Sequence, residues 1–198
     1  MSASRWALAA LAVLGLSAAP ATPATAAGAS LGKVAVVGTG CPIGTATASL
    51  SGGGAVLSIK FAQYRATAGG ARRFDRKACA IAIPFTAPPG KSVAIVGVQY
   101  KGKAVLPAGA TGTVSAEIFF AGGNGPVVSQ NLSGPRSGAF TFTTAGAAKI
   151  WSACGASFNL RVNSSIKVES TGGKSASISV RSQDVVAGLV YQLAYRSC

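Results

Sequence analysis

Six cations carry the clearest chemical signal in this chain. Arg72, Arg73, Arg76 and Lys77 crowd into one short stretch, and Lys101 and Lys103 flank a glycine further on. A guanidinium is a planar fork of N–H donors that meets phosphate, sulfate or carboxylate oxygens two at a time, whereas a lysine ammonium is a compact point charge. These residues therefore have the chemistry of anion capture rather than of bond making. Phe74 and Tyr64, close by in sequence, could stack on a bound ring. The plainer reading of the cluster is a solvated loop that guards a sheet edge against aggregation. Asp75 lies inside the cluster and is read as a local ion-pair partner, not a catalyst.

The residues needed for common catalytic chemistries are missing or scattered. There is no histidine, which excludes Ser-His-Asp and Cys-His sites. A Ser-Lys pair stays open, but no local signature singles one out. Glycosidases need two facing carboxylates, and the chain has four acids, Asp75, Glu117, Glu169 and Asp184, well separated in sequence. So few acids also make a calcium site improbable on chemical grounds. Gly38-Thr39-Gly40 follows an apolar strand as a dinucleotide-binding turn would. However, the third glycine comes one place late, Pro42 sits in the turn, and the next segment reads as a strand. Trp151 and Tyr100 could form a sugar platform, but a tryptophan beside a half-cystine reads better as core. We therefore expect no catalytic residues, no metal and no cofactor.

The four cysteines, Cys41, Cys79, Cys154 and Cys198, form an even set without a C-x-x-C pair. In an exported protein this argues for two disulfides rather than a zinc site. Three connectivities are possible, and joining near neighbours in chain order gives Cys41–Cys79 and Cys154–Cys198. Export itself is read from residues 1–27, a secretory signal with Arg5, an apolar run over Trp6–Leu16, and small residues ending in Ala24-Thr25-Ala26. The apolar run is too short to span a membrane. Residues 28–198 are then expected to form a single β-rich domain.

Lysine and arginine number 18 against four acids, a net charge of +14. Such a field draws in polyanions and speeds their encounter; equally, spaced lysines serve solubility. Asn131-Leu132-Ser133 and Asn163-Ser164-Ser165 match glycosylation acceptors, relevant only in a host that glycosylates.

What positions these residues is read from alternation. Leu57, Ile59 and Phe61 alternate with smaller or polar residues, as do Cys79, Ile81, Ile83 and Phe85, then Val114, Ala116, Ile118 and Phe120. Phe158, Leu160 and Val162, Ile166 and Val168, Ile178 and Val180, and finally Leu189, Tyr191, Leu193 and Tyr195 follow suit. Period two marks a strand with one buried face. Leu31–Val37, Thr45–Leu50, Val93–Tyr100, Val127–Leu132 and the Phe140–Phe142 region also read as strands. Glycine and proline turns separate them, with Pro84 at an edge or strand end, Arg72–Lys77 as a loop, and Lys101-Gly102-Lys103 as a turn or bulge. Ala145–Trp151 reads as a short helix. The sum is an all-β fold, an antiparallel β-sandwich or jelly-roll of roughly ten to twelve short strands with two disulfides, with a barrel as the alternative.

Five segments in order, Gly38-Thr39-Gly40-Cys41-Pro42, Arg76-Lys77-Ala78-Cys79, Tyr100-Lys101-Gly102, Trp151-Ser152-Ala153-Cys154-Gly155 and Tyr195-Arg196-Ser197-Cys198, resemble the domain-of-unknown-function 4360 family. The likeness runs from about Val34 to Cys198. It implies a small secreted four-cysteine β-protein and brings no catalytic residues. Alanine at position 78, where the family has asparagine, and strong basicity set this chain apart. The expected function is a secreted, extracellular, non-enzymatic module that binds an anionic or carbohydrate polymer at the cell surface through Arg72, Arg73, Arg76, Lys77, Lys101 and Lys103. It would have no membrane span and no specific nucleic-acid recognition, and its oligomeric state is left open. The alternatives are a structural or protein-interaction domain and, further off, a hydrolase.

Overall fold

The computed structural model describes residues 28–145, 151–181 and 188–198. The signal expected over 1–27 lies outside them, as does most of the short helix expected over Ala145–Trp151. Of that segment's two ends, Ala145 closes a strand and Trp151 bridges Ala94.

Two antiparallel sheets stack face to face. Sheet I contains β1 (Ser30–Leu31), β2 (Ala35–Val37), β6 (Phe74–Thr86), β8 (Thr111–Phe120), β9 (Val127–Ser133) and β11 (Ser157–Glu169). Sheet II contains β3 (Ala46–Ser51), β4 (Val56–Phe61), β5 (Arg65–Ala68), β7 (Lys91–Leu106), β10 (Arg136–Ala145), β12 (Ala176–Ser179) and β13 (Leu189–Ser197). The order is β1-β6-β11-β8-β9 in sheet I, with β2 also on β6, and β3-β4-β13-β7-β12-β5 in sheet II, with β10 also on β7. This is the expected sandwich; the described residues hold thirteen strands, against the roughly ten to twelve expected.

Alternation puts the apolar half of each strand between the sheets. Ile81, Ile83, Val114, Val162 and Ile166 come from sheet I; Leu57, Ile59, Val98, Leu189 and Tyr191 come from sheet II; all are buried. Burying each such side chain is worth about 1.5–3 kcal/mol relative to exposure. The disulfides pair as near neighbours, Cys41–Cys79 with Cα atoms 5.4 Å apart and Cys154–Cys198 at 6.0 Å. The first ties the turn after β2 to β6, and the second anchors the C-terminal end of β13. In the chain-entropy account, loops of 38 and 44 residues correspond to roughly 3–4 kcal/mol each.

Three expectations are corrected. The strand read over Leu31–Val37 is two pieces, both paired to β6. Gly32 passes so close to Pro84 that a Cβ there would lie 2.8 Å from the proline ring, so the chain interrupts its pairing where β6 has no N–H to give. The loop expected at Arg72–Lys77 is already strand from Phe74 onward. Lys101-Gly102-Lys103 is neither turn nor bulge: β7 runs straight through it, paired with β10 on one edge. On its other edge β13 gives way to β12 at this point. Glycine is required at 102 because a Cβ would overlap the Phe140 ring and lie 2.7 Å from the Ser179 carbonyl oxygen.

The two alternating runs at Phe158–Val162 and Ile166–Val168 are one strand, β11. The residue between them on the inward face is Ser164, and it is buried. Tyr64 donates its hydroxyl hydrogen to Ser164 Oγ at 3.0 Å, and Tyr100 Oη lies 2.9 Å from the same oxygen. This polar clasp joins β11 of sheet I to β7 of sheet II. Burial pushes the Tyr100 phenol up to about 12 and raises Tyr64 well above its ordinary value, because a phenolate loses its hydration there. Tyr191 is pushed up by the same cause, and its hydroxyl has no hydrogen-bond partner among the described residues.

Candidate functional site

The inward faces of both sheets are filled with core, so the surfaces available to a ligand are the outward faces and the ends. Each outward face is the other half of the same alternation.

Sheet I presents both signs of charge outward. The register places Arg76 beside Lys167 and Lys167 beside Thr113. Exposed Phe74 neighbours Glu169 on β11. Each outward acid has a partner: Glu169 lies 3.5 Å from Lys167 Nζ and accepts from the Thr111 hydroxyl, and Glu117 accepts from the Asn163 amide at 3.3 Å. Glu169 faces Thr111 on β8, six positions from Glu117, so the two carboxylates are about 20 Å apart at the strand rise. That is beyond the separation used by paired-carboxylate glycosidases. Asp75 points toward the sandwich edge. One of its oxygens lies 3.8 Å from Lys77 Nζ, and the other accepts the Thr67 N–H at 2.9 Å. It is a charge partner that also ties β6 to β5 across the two sheets.

Sheet II is different. None of its strands contains Asp or Glu. Exposed Arg65, Lys60 and Lys103 and half-buried Lys101 all point outward, because their strand neighbours Ala66, Ile59, Ala104 and Tyr100 point in. Ser179 pairs with both Arg65 and Lys103, so these two cations lie in one row, two strand spacings or about 10 Å apart. Lys101 is two residues further along β7, about 7 Å away on the same face. Its N–H donates to the Gly188 carbonyl, and the Gly188 N–H donates to the Ile59 carbonyl beside Lys60. The four cations thus form a ladder crossing the sheet.

The six residues singled out from the sequence do not form one surface. Lys101 and Lys103 belong to the sheet II ladder. Arg72 stands at its rim, in a bridge with Gly69, and lines a pocket with Arg65. Arg76 faces outward from sheet I, and Lys77 is turned to Asp75 at the sandwich edge. Arg73 is exposed immediately before β6, its carbonyl accepting from Ser170. Arg65 and Lys60 were not read from the sequence as site residues. Their signal was there, since each sits on the polar half of an alternating segment, but it carries weight only once those strands share a sheet with β7.

The aromatic candidates are mostly unavailable to a ligand. Tyr64 and Tyr100 are buried, Tyr100 stacked on Phe142 with centroids 5.3 Å apart. Arg196 covers one face of Trp151 at 4.4 Å. Phe74 alone of the four keeps half its surface exposed. Of the two glycosylation acceptors, Asn131 lies on edge strand β9 and Asn163 on central strand β11.

These observations define a disulfide-braced antiparallel β-sandwich with one cationic, acid-free outer face among the described residues. The chain belongs to the DUF4360 family, a domain of unknown function, whose model matches residues 27–198. An uncharacterized secreted protein of Arthroderma benhamiae is 30% identical over 139 residues, which are 68% of this chain and 57% of that protein. The chain thus spans little more than half the length of this relative. Among solved structures, TmCBM61 in complex with beta-1,4-galactotriose matches 83% of this chain and 88% of its own at 10% identity and a TM-score of 0.30. Infectious bursal disease virus Gx strain matches 93% of this chain and 41% of its own at 12% identity and a TM-score of 0.21. At such scores neither likeness carries an argument. No helix among the described residues is long and apolar enough to cross a membrane.

Proposed function

We propose that this chain is a secreted, non-catalytic module that binds an anionic polymer, most simply an acidic polysaccharide of the cell surface, on the outward face of sheet II. Residues 1–27 act as the export signal, and residues 28–198 fold as one domain. Two disulfides suit an oxidising compartment, and the fungal relative is a secreted protein.

The observation that supports the reading is the ladder Lys60, Lys101, Lys103 and Arg65 on a sheet whose strands hold no acid. A rigid sheet holds the charges in fixed positions 7–10 Å apart, roughly, so little ordering cost is added when a polyanion lies across them. The test is binding of the disulfide-bonded protein to immobilised acidic and neutral polysaccharides across a salt series. The account expects retention on the acidic polymer at low salt, falling steeply as salt is raised, and none on the neutral one. Absence of binding at low salt, or binding indifferent to salt, would overturn it.

A further inference from the structure

The sheet II ladder ends in a pocket. We propose that this pocket gives the polymer site its specificity by capturing a tetrahedral oxyanion, a sulfate or phosphate monoester on a sugar, between Arg65 and Arg72. This rests on the polyanion reading and adds a ligand class to it. The pocket has a volume of about 490 Å³ and lies where β5 pairs with β12. Buried Ala68 and Ala176 border it on the core side. Arg65, Arg72, Thr67, Ser175 and Ser177 are among the residues that line it, and no acidic residue is, among the described residues.

Local hydrogen bonds and a tight turn hold the two arginines at the pocket. Arg65 Nη2 donates to Ser177 Oγ at 3.3 Å, which draws the guanidinium over the pocket. Arg72 closes a tight turn: the Gly69 N–H donates to its carbonyl at 2.7 Å, and its own N–H donates to Gly69 O at 3.1 Å. The Gly70 N–H, in left-handed backbone at φ +57°, ties the turn to the Gly173 carbonyl at 2.9 Å. A Cβ on Gly69 would lie 2.9 Å from Cα of Ser175, so glycine lets Ser175 close against the turn at the pocket rim.

The donor set selects the ligand. Two guanidinium forks can engage two oxygens each, and three hydroxyls can donate further. A carboxylate has two oxygens and leaves much of this set idle. A monoester presents three around one centre.

The test is an NMR titration of the ¹⁵N-labelled, disulfide-bonded protein with glucose 6-sulfate, glucose 6-phosphate and glucuronate, following the arginine Nε–H signals. Both esters are expected to shift Arg65 and Arg72, and the relative size of the two responses distinguishes sulfate from phosphate. Arg72→Gln should weaken the response about tenfold, and Ser175→Ala should weaken it by less, with amide signals of core residues such as Ile81 and Val162 unmoved. Unshifted arginine signals, or glucuronate acting as strongly as the esters, would overturn the inference. In either case, salt-sensitive polymer binding that survives Arg72→Gln leaves the polyanion reading standing. A protein that fails to bind the acidic polymer at low salt brings down both.

Discussion

The two outward faces of this sandwich are made by the same period-two rule, yet they differ in how their charges are met. On sheet I, Glu169 is paired with Lys167 and Glu117 with Asn163, and Arg76 and Arg161 share the surface with those acids. On sheet II, Lys60, Arg65, Lys101 and Lys103 stand on strands with no acid at all. A net charge of +14 says nothing of this division. The lesson is that a few acids, by where they sit, decide which cations are left to meet a ligand.

The comparison can be broken first at its strongest point. Replacing Arg65, Lys101 and Lys103 together with glutamine should weaken acidic-polymer binding roughly tenfold to a hundredfold at low salt, taking up to about 1 kcal/mol per exposed charge contact. It should also flatten the salt dependence by about one unit of log–log slope per cation removed, as for other polyanions. Affinity measured across a salt series checks both.

A second variant separates the faces from the core. Ser164→Ala removes the shared partner of two buried tyrosine hydroxyls. It should destabilise the protein by about 1–3 kcal/mol in chemical denaturation and leave polymer affinity unchanged below the melting transition. Lost affinity in a folded Ser164→Ala protein would mean that the outward face depends on the clasp.

Alkaline titration tests the same clasp without mutation. Tyr100 has its phenol raised from 10.0 to about 12 by burial. The folded state therefore holds its proton more tightly than the unfolded chain. Its contribution is fully present below pH 10.0 and is lost as pH climbs through about 12. Denaturation curves collected from pH 8 upward, approximately, should show level stability and then a fall across that window. Stability that rises there would contradict the buried placement. The smallest effect belongs to sheet I: Arg76→Gln, Arg161→Gln and Lys167→Gln together should change polymer affinity less than about threefold, since their face is already part neutralised. An equal loss from the two triple variants would erase the distinction between the faces.

Much of the scaffold was legible in the sequence. The inward residues of β4, β6, β8 and β13 alternate cleanly, and the disulfides join near neighbours along the chain. Three features were hidden for physical reasons. Gly102 between two lysines looks like a break, yet it is there because Phe140 and Ser179 crowd the position. Reading it as a break conceals that Lys101 and Lys103 share a face. Ser164 interrupts an apolar run and so splits β11 in two on paper, whereas it is the polar centre of the core. Arg65 and Lys60 acquire meaning only from sheet order, a non-local property: β5 reaches β7 through β12, and β4 reaches it through β13. The cations of the charge-dense stretch Arg72–Lys77 adjoin only in sequence: β6 sends Arg76 and Lys77 to opposite faces, while Arg72 and Arg73 precede that strand.

The most direct test of the central claim is a ¹⁵N–¹H NMR titration of the protein with a short acidic oligosaccharide at low salt. The account predicts that shifted amides gather on the outward positions of sheet II, around Lys60, Arg65, Lys101 and Lys103. Shifts gathered instead around Arg76, Arg161 and Lys167 on sheet I, or spread evenly over both faces, would contradict it.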